Sequence, residues 1–343
     1  MKVVVNGRFH AHRPTGMQRY ALAVSQRLGT RLQCVRPPVP LKGAAGHLWE
    51  QTVLPASVGG RLLWSPNNTG PIVCRHHVCT IHDLIPLEHP EWFNAKFSAL
   101  YRWLMPRLAR RLEHVVAVSK FTSERIQELL GIPASRITVV MNGVDESYKP
   151  RSRDEMRPVL ERLGLGSFRY FLYVGSLEPR KNLRGLMQAW RLALPSLDED
   201  IHLVVTGATG RAKVFSECVL GDIPPRVHFT SYVSEPELPV LYAGAMAAIY
   251  PSLYEGFGLP VLEAMACGVP TITSNTTSLP EVAGDAALMV DPQQVDAIAD
   301  AICQVAGGEQ LRRRMRERGL QQAARFSWDR CAGETWRVLE AHA

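Results

Sequence analysis

Short apolar runs rich in β-branched residues alternate with helical patterns along almost the whole chain. The runs predicted as strands are Lys2–Val5, Leu62–Trp64, Val78–Ile81, Val115–Val118, Ile137–Val140, Tyr170–Val174, His202–Thr206, Val227–Phe229, Ala247–Tyr250, Thr271–Thr273 and Ala287–Val290. Such alternation is typical of βαβ units and therefore of parallel sheets in an α/β protein. A chain of 343 residues exceeds what one hydrophobic core normally serves, so two domains are expected.

A polar segment around Glu146–Met156 separates two sets of predicted strands and is the predicted linker. The resulting domains are 1–150 and 151–326, each a Rossmann-like doubly wound sheet, with a cleft between them. After the last predicted strand the pattern is helical to the end of the chain. Ser119 is the predicted N-cap of a helix over Lys120–Leu130 that Gly131 ends, and Asn182–Ala193 is a second predicted helix.

The net positive charge of the chain comes entirely from its first half. Residues 1–150 carry 19 Lys and Arg against 9 Asp and Glu, whereas residues 151–343 carry 20 against 23. A basic lobe favours contact with anionic lipid headgroups or with a lipid diphosphate acceptor, and a solubility role is the alternative. Nucleic acid is not an expected partner.

The sequence favours a protein of the cytoplasm, peripheral to the inner face of the membrane if the basic lobe binds lipid. No run of about 18 apolar residues occurs, and the first residues read as a strand, not as a signal peptide. The seven cysteines include no C-x-x-C pair, which argues against a disulfide framework.

The strongest motif follows the predicted strand Ala247–Tyr250 and leads into a helix. Gly256 and Gly258 allow close backbone approach to a ligand, and Pro260 suits the first helical turn. Exposed amides there favour an anion such as a diphosphate. Glu255 and Glu263, eight residues apart, differ in backbone setting and are predicted to accept hydrogen bonds from hydroxyls of a sugar and a ribose, respectively. A helix-start charge is the alternative for Glu263.

A second motif places Arg180 and Lys181 after the predicted strand Tyr170–Val174. At the carboxyl end of a strand, these cations could neutralise a departing nucleoside diphosphate without a metal ion. A solvated surface turn is the alternative for an isolated Arg-Lys pair.

Two weaker features lie in the first half. Gly16 precedes a helix after the first strand and could let a phosphate or an acceptor approach, although a simple turn explains it equally well. His82 and Asp83 end the predicted strand Val78–Ile81, where a ligand cleft is expected, although an isolated His-Asp pair is usually structural.

Together these motifs resemble glycosyltransferase family 4 over essentially the whole chain. The stretch from Glu255 to Glu263 has the E-x7-E form of the family, followed by Gly268-Val-Pro. The Glu178-Pro-Arg-Lys-Asn form and the stretch Thr80–Pro86 look most like its bacterial mannosyltransferase branch. The resemblance implies a GT-B fold, with a C-terminal helix over about 327–343 that packs back on the first domain.

The resemblance also implies roles for individual residues. Glu255 corresponds to the donor-sugar contact, Glu263 to the ribose contact, Arg180 and Lys181 to the diphosphate pair, and His82 to a histidine near the sugar and acceptor. Further implied donor contacts are Gly16, Ser176, Val233, Gly256, Phe257, Gly258 and Leu259. Many members carry Arg where this chain has Ser176, so neutralisation of the phosphates leans on Arg180 and Lys181.

The implied reaction is retaining transfer of a sugar from a nucleotide-sugar to a glycan or lipid-linked acceptor, with no metal or other cofactor. GDP-mannose is the preferred donor, with GDP-rhamnose and UDP-sugars as alternatives, and the expected product is a surface polysaccharide. Two other functions share the fold: a sugar-nucleotide epimerase and a non-catalytic binding protein. The E-x7-E form argues against the epimerase, and joint retention of His82, Arg180, Lys181 and Glu255 argues against the binding protein.

Overall fold

A computed structural model describes residues 2–11, 15–41, 43–207, 222–230 and 233–343. The chain divides into two compact units, one formed by Met1–Gly143 with Phe326–Ala343 and the other by Val144–Arg325. Each unit is built on a six-stranded parallel sheet, with helices in most of the described connections between successive strands. The α/β class predicted from the alternation of strands and helices is therefore confirmed.

The first unit contains the strands β1 to β6 in the spatial order β2-β1-β3-β4-β5-β6. These strands are β1 Val3–Asn6, β2 Leu32–Val35, β3 Leu63–Ser65, β4 His77–Ile81, β5 His114–Ala117 and β6 Ile137–Val139. Its helices are α1 Gly16–Leu28, α2 Gly43–Val58, α3 Ile85–Glu88, α4 Ala95–Ala109 and α5 Lys120–Leu130, and the C-terminal helix described below completes it.

The inner strands of the first sheet are largely apolar, as is typical of parallel strands that are buried on both faces. All residues of β1, β4 and β5 are buried. The N-cap predicted for α5 is present, since the Ser119 side chain accepts a hydrogen bond from the Thr122 amide. Gly131 then ends α5 in the left-handed conformation, at φ 66°, which costs a glycine little.

The second unit contains the strands β7 to β12 in the spatial order β12-β11-β10-β7-β8-β9. These strands are β7 Arg169–Val174, β8 Ile201–Thr206, β9 Val227–Phe229, β10 Ala247–Tyr250, β11 Thr271–Ser274 and β12 Leu288–Val290. Its described helices are α6 Arg153–Arg162, α7 Leu183–Ala193, α8 Leu238–Ala243, α9 Leu259–Ala266, α10 Leu279–Ala283, α11 Val295–Gly307 and α12 Glu309–Ala323.

The core of the second unit lies between its sheet and the helices α7 and α11. Trp190 of α7 is fully buried against Phe171 of β7, with ring centroids 5.9 Å apart in an edge-to-face arrangement. Ile298 and Ile302 of α11 join the same apolar cluster. This packing holds β7 and its carboxyl end in a fixed position.

The C-terminal helix α13, Trp328–Ala341, packs on α1 within the first unit. The Tyr20 hydroxyl lies 3.4 Å from the Thr335 hydroxyl, and Arg27 Nε donates to Asp329 Oδ1 at 2.6 Å. A Cβ atom at Gly143 would lie 2.1 Å from the Trp328 amide nitrogen, so only glycine fits beside this helix start.

Three details differ from the sequence predictions. β2 was not predicted, because Leu32–Val35 is a half-exposed edge strand whose polar residues hide its pattern. The predicted linker is helical from Arg153 onward, where Ser152 and Glu155 form a capping box. The units also divide after Gly143, and not at residue 150.

Candidate functional site

The two sheets each contain a point at which the strand order reverses direction. In the second sheet the chain moves outward from β7 through β8 to β9, and from β10 through β11 to β12 on the other side. The loops that follow β7 and β10 therefore diverge from a shared position at the carboxyl edge of the sheet. Ligands of doubly wound sheets bind at such a point.

The loop after β10 presents Glu255 and is shaped by Gly258. Gly258 has a φ of 109°, which is strained for any residue with a side chain, and a Cβ atom there would lie 2.6 Å from Leu279 Cδ2. Backbone conformation and space therefore both favour glycine at this position. The Ser278 hydroxyl lies 2.9 Å from the carbonyl oxygens of both Glu255 and Phe257. The segment that follows β11 therefore holds this loop in place through the Ser278 hydroxyl.

The loop after β7 forms a short 3-10 turn, Pro179–Lys181, that presents two cations. Asn182 follows in the left-handed conformation, at φ 53°, and its side-chain Nδ2 donates to the Pro292 carbonyl at 2.7 Å. The Leu253 amide donates to the Arg180 carbonyl at 2.7 Å, which joins this turn to the loop after β10.

The motifs that the sequence separates by about 75 residues meet in one buried ion cluster. Lys181 Nζ donates to Glu255 Oε1 and to the Tyr250 hydroxyl. Arg180 Nη1 donates to Glu255 Oε2 at 3.2 Å, and the Tyr250 hydroxyl donates to Glu255 Oε1 at 2.7 Å. Glu255 and Lys181 are each less than a tenth exposed.

Burial and charge act in opposite directions on this cluster. Burial by itself would raise the pKa of Glu255, but Lys181 and Arg180 outweigh it and hold the pKa at about 2. Burial lowers the pKa of Lys181, with Glu255 opposing this change. The cluster therefore keeps a carboxylate beside two cations at neutral pH, one of which is a lysine that burial makes easier to deprotonate.

Several other predicted donor contacts belong to the second unit. The Ser176 hydroxyl donates to Glu178 Oε1 at 2.7 Å, and Arg180 Nε donates to Glu178 Oε2 at 2.6 Å. Leu259 is the first residue of α9, with Pro260 in the first turn as the sequence predicts. The remaining predicted contacts of this unit are buried Gly256, Phe257 and Glu263 and partly exposed Val233.

His82 follows β4 in the first unit and is buried. Its Nε2 lies 2.8 Å from the Pro66 carbonyl oxygen, which only accepts, so Nε2 carries the proton and Nδ1 is the acceptor nitrogen. Burial lowers its pKa to about 4, and the imidazole is therefore neutral at pH 7. The Tyr20 ring packs edge-on against it at a centroid distance of 4.9 Å.

Gly16 is the first residue of α1, an exposed position inside the helix and not in a turn before it. Thr15 is the N-cap residue, and the Gln18 side chain completes a capping box with it. Pro14, the first residue of the predicted glycine turn, lies outside the described residues.

A buried polar cluster that none of the sequence motifs indicates lies at the switch point of the first sheet, between β1 and β3. Glu50 of α2 is 1% exposed and accepts from Asn6 Nδ2 at 2.7 Å and from Arg8 Nη1 at 2.9 Å. The Thr69 hydroxyl donates to Glu50 Oε1 at 3.3 Å. Glu50 is the single carboxylate of an otherwise uncharged helix, which is the signal that could have revealed it.

Tyr250 is a second site residue that the sequence does not indicate, because it ends an apolar strand pattern and is typical of a core residue. Its side chain closes the triangle with Lys181 and Glu255. Among the residues that the structure describes, no group of three or more His, Cys, Asp and Glu side chains could hold a metal ion.

The two parallel sheets and the site at the second switch point define the class of protein, a glycosyltransferase of the GT-B fold. Residues 161–322 match the family described as glycosyl transferases group 1, and residues 64–148 match glycosyltransferase family 4. The chain belongs to glycosyltransferase family 4. The resemblance that the motifs indicated is thereby confirmed.

Similar proteins agree with this assignment. The O-antigen chain mannosyltransferase B of Escherichia coli is 39% identical over 279 residues, which are 79% of this chain and 71% of that protein. The serotype-specific mannosyltransferase WbdA of Escherichia coli is 30% identical over 73% of this chain, but the match spans only 32% of WbdA. Anabaena Alr3699/HepE in complex with UDP and glucose has a similar structure, with a TM-score of 0.77, 18% identity and coverage of 99% of this chain and 100% of that chain.

Proposed function

We propose that this glycosyltransferase moves mannose from GDP-mannose to a glycan or lipid-linked acceptor during surface polysaccharide synthesis. The ion cluster of Arg180, Lys181 and Glu255 at the second switch point is the observation that carries the proposal. It combines cations for a diphosphate with a carboxylate for sugar hydroxyls. The relatives named as O-antigen and serotype-specific mannosyltransferases favour mannose as the transferred sugar.

Each residue would act by electrostatics and hydrogen bonding, with retention at the anomeric carbon. Lys181 and Arg180 would stabilise negative charge as the diphosphate leaves, in place of a metal ion. The acceptor hydroxyl would attack from the side that the diphosphate leaves, and the leaving phosphate would take its proton. Glu255 and Glu263 would accept hydrogen bonds from the hydroxyls of the sugar and the ribose.

His82 fits a contact with a sugar or an acceptor better than a role in proton transfer. Its pKa of about 4 makes the imidazole a weak base at neutral pH, and its Nε2 proton is held by Pro66. The acceptor nitrogen Nδ1 can receive a hydrogen bond from a hydroxyl group. We therefore assign His82 to orientation of the ligand.

A panel of donors tests the proposal. The purified chain is mixed with GDP-mannose, GDP-rhamnose or a UDP-sugar, with a lipid-linked glycan acceptor and with excess EDTA, and release of nucleoside diphosphate is measured. We expect acceptor-dependent release from GDP-mannose that EDTA leaves intact, with an α-linked product by NMR. Isomerised donor without transfer would identify an epimerase, and preference for another donor would overturn the assignment of mannose.

The first unit also offers a surface for an anionic membrane, which we call the α4 face. Between Glu91 and Glu113 the chain carries no acidic residue, while its basic residues are Lys96, Arg102, Arg107, Arg110 and Arg111. Trp103 on the same helix is 48% exposed, and the Arg107 guanidinium lies 4.7 Å from the centre of its ring. Basic residues around an exposed tryptophan suit the headgroup region of a bilayer.

We propose that the α4 face holds the enzyme against the inner face of the membrane, where a lipid-linked acceptor lies. None of the described helices combines the length and the apolar character needed to cross a bilayer. Sedimentation with vesicles of phosphatidylglycerol and phosphatidylcholine tests this contact. Replacing Trp103 and Arg107 with Ser should reduce binding about tenfold or more, and salt should weaken wild-type binding.

The matched control for the lipid experiment is Leu192→Ser, which removes an exposed apolar side chain from α7 of the second unit. This variant should bind vesicles like the wild type. Equal loss in both variants, or wild-type binding to neutral vesicles alone, would refute a membrane contact through the α4 face.

A further inference from the structure

The two cations predicted to hold the diphosphate already have a buried anionic partner. Lys181 and Arg180 both donate to Glu255, one to each carboxylate oxygen. Neither cation can give full charge to a second anion without weakening its bond to the first. A diphosphate that uses these cations must therefore compete with Glu255.

Glu178 provides a comparison within the same turn. It pairs with Arg180 Nε at 2.6 Å, but its side chain is 47% exposed, whereas that of Glu255 is 9% exposed. Because water screens an exposed pair, Glu178 competes only weakly for Arg180. The buried Glu255 is the carboxylate whose competition counts.

Tyr250 is placed to hold Glu255 when its partner changes. The phenol is buried, Lys181 Nζ lies 4.9 Å from the centre of its ring, and its hydroxyl donates to Glu255 Oε1. It also receives a hydrogen bond from Lys181. This hydroxyl can keep its bond to Glu255 after Lys181 has turned to another anion, since a phenol donates and accepts independently.

We propose that Glu255 is an internal counter-ion that the donor diphosphate displaces from Lys181 and Arg180, and that Tyr250 is the positioning residue that holds Glu255 during the exchange. The inference rests on the proposed function, because it takes the ligand to be a nucleoside diphosphate. The exchange makes binding of the diphosphate and release of Glu255 one event. The freed carboxylate is then available to the hydroxyls of the transferred sugar. Glu255 therefore becomes a sugar contact only when a donor diphosphate is bound.

Binding of GDP, measured by isothermal titration calorimetry, tests the exchange. Glu255→Gln keeps the size of the side chain but removes the competing charge, so GDP should bind about tenfold tighter while sugar transfer is lost. Glu178→Gln, the matched control on the same arginine, should change GDP affinity less than about threefold. A role of Glu255 in stability alone would weaken GDP binding, which is the opposite sign.

A double-mutant cycle separates Tyr250 from a merely structural residue. Tyr250→Phe should weaken GDP binding about threefold in the wild type, because Glu255 then depends more strongly on Lys181. In the Glu255→Gln background the same change should have little effect. Equal effects in both backgrounds would overturn the positioning role of Tyr250.

The outcomes distinguish this inference from the proposed function. If wild-type chain binds neither GDP nor UDP, the assignment of the site to a nucleotide diphosphate fails. If GDP binds the wild type and the Glu255→Gln variant equally well, the site is correctly assigned and the counter-ion exchange is wrong. Circular dichroism of each variant verifies that it is folded before its affinity is compared.

Discussion

Each unit has a buried glutamate paired with an arginine at the switch point of its sheet, but the two pairs differ in composition. Glu50 in the first unit meets one permanent cation, Arg8, together with the neutral donors Asn6 and Thr69. Glu255 in the second unit meets two cations, Arg180 and Lys181, and a phenol. The first pair balances its own charge, whereas in the second cluster Arg180 also pairs with Glu178, so that two cations share two carboxylates.

The comparison shows why similar buried ion pairs serve different purposes. A carboxylate balanced by one arginine, with Asn6, Thr69 and His47 beside it, joins β1 to α2 and has little reason to exchange partners. A carboxylate that shares two cations, one of them a lysine whose pKa burial lowers, can give up a partner at smaller cost. The number and identity of the charged partners, more than burial, distinguish the pair in the first unit from the candidate site in the second.

The largest expected effect is on turnover, at the second switch point. Lys181→Met removes the cation nearest Glu255 and should lower kcat by about 10²- to 10³-fold, with a smaller change in the affinity for the donor. Initial rates of acceptor-dependent GDP release measure both quantities. The control is Lys149→Met, which changes an exposed lysine of the same unit and should leave turnover unchanged. Full activity of the Lys181→Met variant would contradict a role of Lys181 in stabilising the leaving diphosphate.

A pair of substitutions tests the difference between the two carboxylates through stability. Glu50→Gln leaves Arg8, whose side chain is 14% exposed, as a cation that cannot release its proton, and should lower the free energy of unfolding by about 3 kcal/mol. Glu255→Gln should cost less, because Arg180 keeps a second carboxylate partner, Glu178, at 2.6 Å. Urea unfolding followed by circular dichroism compares them, and a larger loss for Glu255→Gln would contradict the distinction.

Acid should weaken the first unit before the second. Burial lowers the pKa of His77 to about 3 and of His82 to about 4, whereas unfolded histidine titrates near 6.5. The unfolded chain therefore binds more protons below pH 6.5, so this stability is complete above that pH and falls as the pH drops toward 4. The loss is on the order of 3 kcal/mol for each histidine once the pH reaches about 4.

The carboxylate of the second unit responds in a different window. The pKa of Glu255 is lowered to about 2, so its stabilising effect is present above its ordinary value of 4.5 and is lost between 4.5 and 2. Hydrogen exchange corrected for pH should show faster exchange in β4 than in β7 and β10 as the pH falls from 6.5 to 5. Simultaneous loss of protection in all three strands would show that the two units do not differ in this way.

Much of the fold and part of the site could be predicted from local sequence. The strand and helix pattern predicted the parallel sheets, and Ser119 with Gly131 marked the limits of α5 correctly. Leu32–Val35 escaped notice because an edge strand needs no continuous apolar run. The helix α6 was not predicted, although Ser152 and Glu155 have the spacing of a capping box, because the surrounding residues are polar and typical of a linker.

The sequence alone determined the class of the molecule and the chemical groups of its candidate site. The alternation of strand and helix patterns predicts parallel sheets, because a strand covered by helices on both faces is largely apolar. Glycine at position 258 and the charges of Arg180, Lys181 and Glu255 are likewise present before any folding. These features depend on residue type and spacing, so they can be predicted without coordinates.

Only the tertiary structure decided which of these groups meet. Strand order brings the ends of β7 and β10 together, and this places Glu255 on Lys181 and makes Tyr250 part of the site. The same folding gave His82 a neutral imidazole and joined Arg8 to Glu50 across 42 residues. Partners distant in sequence, and the burial that shifts their pKa values, arise only when the sheets assemble, so no local pattern encodes them.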